Sequence, residues 1–132
     1  LIACASICSA PRNANCHLVY PNMSESDGDR RSMIDHILYN DRFLVLPWSK
    51  ANGCIGDIVN AVAAKAVRDW PLYYRWPVKA IEAYVENEDE AEPYRQAGWG
   101  RIGEIRGIDR MKKKPLHVTK GVYVKIVEKG LN

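Results

Sequence analysis

One long amphipathic segment constrains the fold of this chain more than any other feature of its sequence. Its apolar residues recur at intervals of three and four positions, as one buried face of a helix requires. These residues are Ile55, Ile58, Val59, Val62, Ala63, Ala66 and Val67. The pattern predicts an α-helix that packs this stripe against a core. We expect the helix to end over Asp69–Pro71, because proline disrupts a helix interior.

A strand is predicted on either side of this helix. Arg42–Leu46 is mostly apolar on both faces, as a central strand would be, and Lys79–Val85 is a second candidate strand. Pro47–Gly53 forms the loop between the first strand and the helix. A strand-loop-helix-strand unit implies a right-handed crossover that joins two parallel neighbouring strands. The sequence therefore predicts a mixed α/β sheet built around this unit.

Shorter signals complete the predicted order of elements. They are a strand over Leu1–Ser9, a short strand over Cys16–Tyr20, a helix over Arg30–Tyr39 capped by Asp29, a helix over Glu88–Ala97 ended by Gly98, and two closing strands over Arg101–Arg106 and Val122–Val127. The two closing strands are expected to pair antiparallel, with a basic loop between them.

The composition is that of an ordinary folded domain. The 132 residues are 47% apolar and 27% charged, with a formal net charge of +3. A chain of this size buries roughly two-thirds of its unfolded surface, so we expect one domain over residues 1–132. No apolar run approaches the ~18 residues that a membrane helix needs, which predicts a soluble protein. The chain does not begin with Met, and we expect it to be the C-terminal part of a longer protein.

The four cysteines indicate neither a disulfide framework nor a metal centre. They are Cys4, Cys8, Cys16 and Cys54, and their spacing fits no pair of zinc ligands. We therefore expect reduced thiols, a cytoplasmic location and no bound metal.

Positive charge is concentrated in the last quarter of the chain. Residues 101–132 carry nine Lys and Arg against three Asp and Glu. A basic cluster of this kind can contact the phosphates of a nucleic acid. The alternative is a solvated hairpin loop, because no aromatic residues interleave with the cluster as stacking would require. The candidate nucleic-acid contacts are Arg110, Lys112, Lys113 and Lys114.

The loop before the long helix is a candidate anion site. Lys50, Asn52, Gly53 and Gly56 surround the predicted start of the helix, where backbone N–H groups and the positive end of the helix dipole attract a phosphate. A tight connection also needs glycine for steric reasons, so this loop alone does not decide between the two interpretations.

Two motifs resemble the GNAT superfamily of acyl-CoA-dependent N-acyltransferases. Residues 45–56, VLPWSKANGCIG, resemble the strand, proline, basic residue and glycine-rich pyrophosphate loop of that family. Lys50 stands where the family usually has Gln or Arg, Gly53 matches its first glycine, and Gly56 lies one position after its second. The resemblance implies acetyl-CoA or another acyl-CoA as cofactor. The pyrophosphate would be held by Lys50, Asn52, Gly53, Cys54 and Gly56, and the pantetheine arm by backbone groups of Val45 and Leu46 between splayed strands.

The second motif is Asn87 followed by Tyr94-Arg95-Gln96-Ala97-Gly98-Trp99. It is similar to the family pattern N-x6-Y-x3-G-F, with Trp in place of Phe. The resemblance assigns Asn87 to the cofactor side of the site and makes Tyr94 the general acid toward the departing thiolate. A phenol with a pKa near that of a thiol can share its proton as the sulfur charge develops. The alternative is a helix tyrosine packed against the sheet.

A base for the acceptor amine is a separate requirement. Glu82 is the candidate, because it is a carboxylate in an otherwise apolar strand beside the expected cleft. The carboxylate could instead face solvent, or pair with Lys79 or Arg42.

A narrower resemblance covers residues 40–48, 82–86 and 94–99. These segments are similar to an uncharacterised domain of transposon-linked and Druantia anti-phage proteins, and to Mom-type phage enzymes that modify adenine in DNA. The resemblances together imply a GNAT-like acyltransferase whose acceptor is an amine, such as one on a DNA base, in a phage or mobile-element context. The alternative is a non-catalytic DNA-binding or assembly module in anti-phage defence or transposition.

Overall fold

The computed structural model describes residues 3–10, 34–48, 54–109 and 114–127. Two helices and five strands alternate along these residues. They are β1 (Ala3–Ser9), β2 (Ile37–Val45), α1 (Ile55–Tyr74), β3 (Ala80–Val85), α2 (Glu88–Gln96), β4 (Gly100–Asp109) and β5 (Lys114–Ile126).

The strands form one mixed sheet in the order β1-β2-β3-β5-β4. The central neighbours β2 and β3 are parallel, and the other three pairs are antiparallel. The crossover from β2 to β3 runs through α1. The predicted mixed α/β sheet, its central strand-loop-helix-strand unit and its closing hairpin β4–β5 are therefore confirmed.

The buried residues form a core on each face of the sheet. On one face α1 and α2 pack against alternate residues of β3, among them Ile81 and Ala83. On the other face Ala80 of β3 packs with Ile37 of β2 and Val124 of β5. The period-2 alternation of β3 thus divides its side chains between two different environments.

The predicted helix over Arg30–Tyr39 is wrong at its end, where the chain already forms β2. Ile37 and Leu38 are each 1% exposed, and they belong to the cores on opposite faces of the sheet. An apolar pair four residues after Met33 and Ile34 fits a helical period, and it fits a strand buried on both faces equally well. The predictions for Asp29 and for Cys16–Tyr20 lie outside the described residues.

The C-terminal end of α1 differs from the prediction, whereas that of α2 agrees with it. Helix α1 continues through Pro71 to Tyr74, beyond its predicted end, and the ring of Trp70 packs on Tyr74 across the proline at 4.2 Å between centroids. Helix α2 ends as predicted at Gly98, whose φ of +85° is the left-handed conformation that glycine favours. Among the described residues, no helix combines the length and apolar character that crossing a bilayer demands.

Candidate functional site

A cleft opens where the two parallel strands of the sheet diverge. Strands β2 and β3 are paired only from Ile37 to Asn40 and from Ala80 to Ala83. Beyond these residues β2 stays with β1, and its register shifts so that Asp41 is an extra residue between the partners of Ser6 and Ile7. The expected splay of the central strands is therefore present.

The cleft has a volume of about 500 Å³ and draws its walls from three elements. Its lining residues come from β2, the end of β3 and one side of α2. They are Asn40, Asp41, Arg42, Phe43, Leu44, Val45, Tyr84, Val85, Glu90, Pro93 and Tyr94. Two of the predicted site residues, Val45 and Tyr94, are thus brought to one cleft.

Tyr94 reaches the cleft from the buried face of α2. It is 5% exposed, and its ring lies 5.0 Å from that of Trp99 and 6.4 Å from that of Phe43 between centroids. Helix α2 is held in this position by Ala91, which is buried one turn earlier on the same face. The alternative of a helix tyrosine packed against the sheet is therefore confirmed, and because Tyr94 also borders the cleft, its role as general acid stays a prediction.

The hydroxyl of Tyr94 is hydrogen-bonded to the side chain of Asn40, at 3.0 Å. The Asn40 amide is best oriented with its nitrogen donating to the backbone carbonyls of Arg42 (2.9 Å) and Ser6 (3.3 Å), because both of these groups are acceptors. Its oxygen then accepts the Tyr94 proton. Asn40 is a buried polar residue at the last position of β2 that pairs with β3, and it fixes the direction of the Tyr94 hydroxyl.

Burial, followed by the charges of the nearby Tyr39 and Glu90, raises the pKa of Tyr94 to about 12. The expected match between the pKa of this phenol and that of a thiol, which is ordinarily about 8.5, is therefore absent. A phenol of this kind keeps its proton at neutral pH. Toward an anion in the cleft, such a group is suited to donate a hydrogen bond rather than to give up its proton.

Glu82 lies in the centre of β3 with no exposed surface. The expectation that it could face solvent is wrong, and it is not one of the residues that line the cleft. The hydroxyl of Tyr84, which does line the cleft, donates to Oε2 of Glu82 at 3.0 Å. The predicted base is thus connected to the cleft through a tyrosine that sequence reasoning missed.

The loop between β2 and α1 is described only at its two ends. Lys50, Asn52 and Gly53 lie outside the described residues. Cys54 is exposed at the N-cap position of α1, where its carbonyl accepts from the N–H of Ile58 at 3.0 Å. A helix follows the loop as predicted, so the positive end of its dipole lies at the end of this connection.

Gly56 is buried against the end of α2, and this packing explains why glycine stands there. A Cβ atom at this position would lie 3.2 Å from the backbone of Gln96 and Ala97. Asn60, one turn later, donates to the carbonyl of Ala97 at 3.0 Å and accepts from the indole of Trp99 at 3.3 Å. The start of α1 is therefore locked to the end of α2. The predicted phosphate contact of Gly56 stays a prediction.

Asn87 is the N-cap of α2. Its side-chain oxygen accepts from the backbone N–H of Glu90 at 2.9 Å. This is a structural role that the sequence motif did not separate from cofactor binding. The residue also borders a smaller cavity of about 150 Å³, together with Arg101 and Tyr123.

Of the four residues of the basic cluster, the structure describes one. Lys114 is the first residue of β5 and is paired with Asp109 in the ladder, whereas Arg110, Lys112 and Lys113 lie outside the described residues. Within the part of the chain that the structure describes, no group of His, Cys, Asp and Glu could hold a metal ion.

Comparison with known proteins shows the fold of this chain and nothing finer. No family model matches the sequence, and no curated protein matches it. Among solved structures, it is similar to Arabidopsis thaliana NAA60 in complex with acetyl-CoA, with 15% identity, a TM-score of 0.55, and coverage of 93% of this chain and 63% of that one. It is also similar to the polyamine N-acetyltransferase of Drosophila melanogaster (12% identity, TM-score 0.55, 96% and 69%).

An acetyltransferase-type protein from Acinetobacter baylyi ADP1 shares the same fold, with 12% identity, a TM-score of 0.52, and coverage of 76% of this chain and 51% of that one. The chain therefore spans between about half and two-thirds of the length of these structures. Its fold is that of GNAT acetyltransferases.

Proposed function

We propose that this chain is the acyl-CoA-binding part of an N-acyltransferase, which moves an acetyl or other acyl group from acyl-CoA to an amine. One observation carries the proposal. The only parallel strand pair in the described sheet separates after four residues, and a hydroxyl on α2 borders the resulting cleft. The shared fold supports it, because one of the similar structures contains acetyl-CoA.

The edge of β2 is suited to an extended acyl donor. Over residues 41–45 this edge no longer pairs with β3, while the opposite edge remains paired with β1. Backbone groups on such an edge can bind an elongated ligand as a neighbouring strand would be bound. Val45 and Leu46 would hold the pantetheine arm in this way.

The start of α1 would hold the charged part of the donor. A pyrophosphate there would meet the dipole and backbone N–H groups of a 20-residue helix. Lys50, Asn52, Gly53, Cys54 and Gly56 would surround it, and Asn87 would act on the same side. Tyr94 would donate a hydrogen bond to the sulfur as the thioester bond breaks, turning from Asn40 toward the charge that develops.

The binding claim is tested by thermal unfolding with and without acetyl-CoA. A ligand at 100 times its dissociation constant should add about 2.7 kcal/mol, a shift of several degrees for a domain of this size. An acetyl thioester of N-acetylcysteamine, which lacks the pyrophosphate, should give a smaller shift at the same concentration. An unchanged melting temperature with acetyl-CoA contradicts the proposal.

The acceptor is the finer part of the proposal. The resemblance of residues 40–48, 82–86 and 94–99 to DNA-associated proteins supports an amine on a DNA base, in a phage or mobile-element setting. The similarity to a polyamine N-acetyltransferase supports a small aliphatic amine instead. Labelled acetyl-CoA offered with duplex DNA, or with agmatine, separates the two by which acceptor retains the label.

A second candidate function is a non-catalytic nucleic-acid-binding or assembly module. The structure also has an exposed aromatic surface, at the end of the sheet where β3 begins and opposite the end where β5 begins at Lys114. At the end of α1, Tyr73, Tyr74 and Trp76 are each at least half exposed beside the exposed Arg75. Exposed rings next to a cation are a surface on which bases stack.

A further inference from the structure

We propose that Tyr84, backed by Glu82, accepts the proton of the attacking amine in the reaction proposed above. The inference rests on that proposed function, and it assigns a role to a tyrosine to which the sequence motifs gave none. Its basis is the position of two hydroxyl groups on opposite sides of one cleft.

The alternation of β3 places these hydroxyls. Ala83 and Val85 face the core that α1 and α2 cover, so Glu82 and Tyr84 face the opposite side of the sheet. Tyr94 belongs to the helix side. Both tyrosines line the cleft between the diverging strands, and they therefore approach it from different faces.

Acyl transfer from a thioester needs two groups in this arrangement. One group must stabilise negative charge on the departing sulfur, and the other must remove a proton from the nitrogen that attacks the carbonyl carbon. The nitrogen attacks from one face of the planar thioester, whereas the sulfur is a substituent within that plane, so the two groups should border the cleft from two directions. Tyr94 fits the sulfur side, and Tyr84 fits the nitrogen side.

An ordinary tyrosine hydroxyl is too weak a base to take a proton from an amine. The carboxylate of Glu82 changes this, because it can accept the Tyr84 proton as the amine proton arrives. The Tyr84 hydroxyl already donates to Oε2 of Glu82, at 3.0 Å. As the carbon–nitrogen bond forms, the nitrogen's proton passes to the oxygen of Tyr84, while the Tyr84 proton passes to Glu82. The carbon–sulfur bond breaks and its electron pair leaves on a thiolate, so the base gains one proton and the donor releases one thiolate.

The surroundings of the pair are mostly aromatic and apolar. The ring of Tyr39 lies 4.4 Å from that of Tyr84, and Val122 and Val124 of β5 are the register partners of Tyr84 and Glu82. Burial, followed by the charges of Asp41, Cys8 and Glu82, raises the pKa of Tyr39. The titratable groups beside the pair include Tyr39, the register partner of Glu82, and Cys8, the register partner of Tyr39, with Asp41 close enough to act on the pKa of Tyr39.

The test is the pH dependence of acetyl transfer from acetyl-CoA to agmatine and to ethylamine. Tyr84→Phe and Glu82→Gln should each lower kcat/KM for the amine by about 100-fold at neutral pH. The loss should shrink as the pH approaches about 10, where a primary amine loses its proton without help. The double variant should be no slower than either single one, because the two groups act as a unit.

Tyr74→Phe is the matched control, since it removes a hydroxyl from an exposed ring at the end of α1 that does not line the cleft. It should retain the wild-type profile. All variants are first compared by thermal unfolding and by affinity for acetyl-CoA, which the relay does not touch. Should Tyr84→Phe not fold, Glu82→Gln carries the test alone.

The outcomes separate the relay from the proposed function. An acetyl-CoA-dependent wild type whose pH profile is unchanged in Tyr84→Phe or Glu82→Gln overturns the relay alone. A wild-type chain that binds acetyl-CoA but acetylates none of agmatine, ethylamine and duplex DNA overturns the proposed transfer, and the relay with it. Failure to bind acetyl-CoA overturns the proposed function, and the relay with it.

Discussion

Tyr94 both packs in the core and borders the cleft. Its ring is part of the core, and its hydroxyl borders the cleft and is oriented by Asn40. A motif could point to this tyrosine from sequence alone. Asn40 could not be found in the same way, because a polar residue inside an apolar strand acquires its meaning only from the carbonyls that β1 and β2 present to it.

Removing the hydroxyl of Tyr94 should slow acyl transfer without weakening donor binding. In Tyr94→Phe we expect kcat to fall by about 100-fold, because one preorganised donor to the developing thiolate is lost. The affinity for acetyl-CoA should stay within a factor of about three of the wild type, because the hydroxyl acts on the sulfur only as the thioester bond breaks. A tenfold change would correspond to about 1.4 kcal/mol of binding free energy. Steady-state kinetics and titration calorimetry measure the two quantities.

Tyr74→Phe is the control for that comparison, because Tyr74 is 55% exposed at the end of α1 and does not line the cleft. It should behave as the wild type. Equal turnover in Tyr94→Phe and Tyr74→Phe would remove Tyr94 from the mechanism.

The buried phenol also makes a prediction about stability at alkaline pH. Its pKa is about 12 in the folded chain, against 10.0 for an ordinary tyrosine. Between these values the unfolded chain loses the phenol proton while the folded chain keeps it, so the free energy of unfolding should fall as the pH rises through this range. Below pH 10 the contribution is fully present. Urea unfolding across the range should show a shallower fall for Tyr94→Phe, and parallel curves would contradict the burial argument.

At the scale of elements, the contact between α1 and α2 holds together the two parts that would bind the donor. Gly56→Ala should lower the free energy of unfolding by about 1–3 kcal/mol, because the added Cβ would meet backbone atoms of Gln96 and Ala97 at 3.2 Å. Gly100→Ala is the control, since nothing lies within 4 Å of a Cβ there. Chemical denaturation compares them, and an equal effect of both would show that α2 yields to the extra atom.

The N-terminus of α2 allows capping and cofactor binding to be separated at Asn87. Asn87→Ala should cost about 1 kcal/mol of unfolding free energy through the lost cap, and Asn87→Ser should restore most of it, because serine also caps well. If Asn87 touches the cofactor as the motif implies, both variants should bind acetyl-CoA more weakly. If Asn87→Ser binds acetyl-CoA with wild-type affinity, Asn87 serves only as the helix cap.

The elements that sequence predicted well are those in which local and tertiary signals agree. The stripe of α1 and the glycine that ends α2 needed no knowledge of their neighbours. The start of β2 could be predicted only with such knowledge. Ile37 and Leu38 are apolar residues at consecutive positions, and only their burial on two faces of a sheet distinguishes a strand from a helix. The same applies to Tyr84, whose role depends on strands that diverge.

At the scale of the whole molecule, the order of elements was enough to predict the fold, because a right-handed crossover through α1 leaves few arrangements of β2 and β3. It was not enough to predict the chemistry on each side of the cleft. The face on which Glu82 and Tyr84 lie follows from the register of β3 against β5, and register is set by packing across the sheet rather than by the sequence of either strand.

The second candidate function predicts how the affinity for DNA should change with salt concentration. If the basic cluster contacts a nucleic acid, replacing Lys112 and Lys113 by alanine should reduce the slope of the log binding constant against log salt concentration by about two. Each phosphate contact releases about one counterion. Tyr73→Ala should instead weaken binding at every salt concentration and leave the slope unchanged, since stacking on that exposed ring releases no counterion. Gel shifts with single-stranded and duplex DNA at several salt concentrations measure both effects. Binding that does not change with salt, or no binding, would remove the nucleic-acid partner and leave the cleft as the functional site.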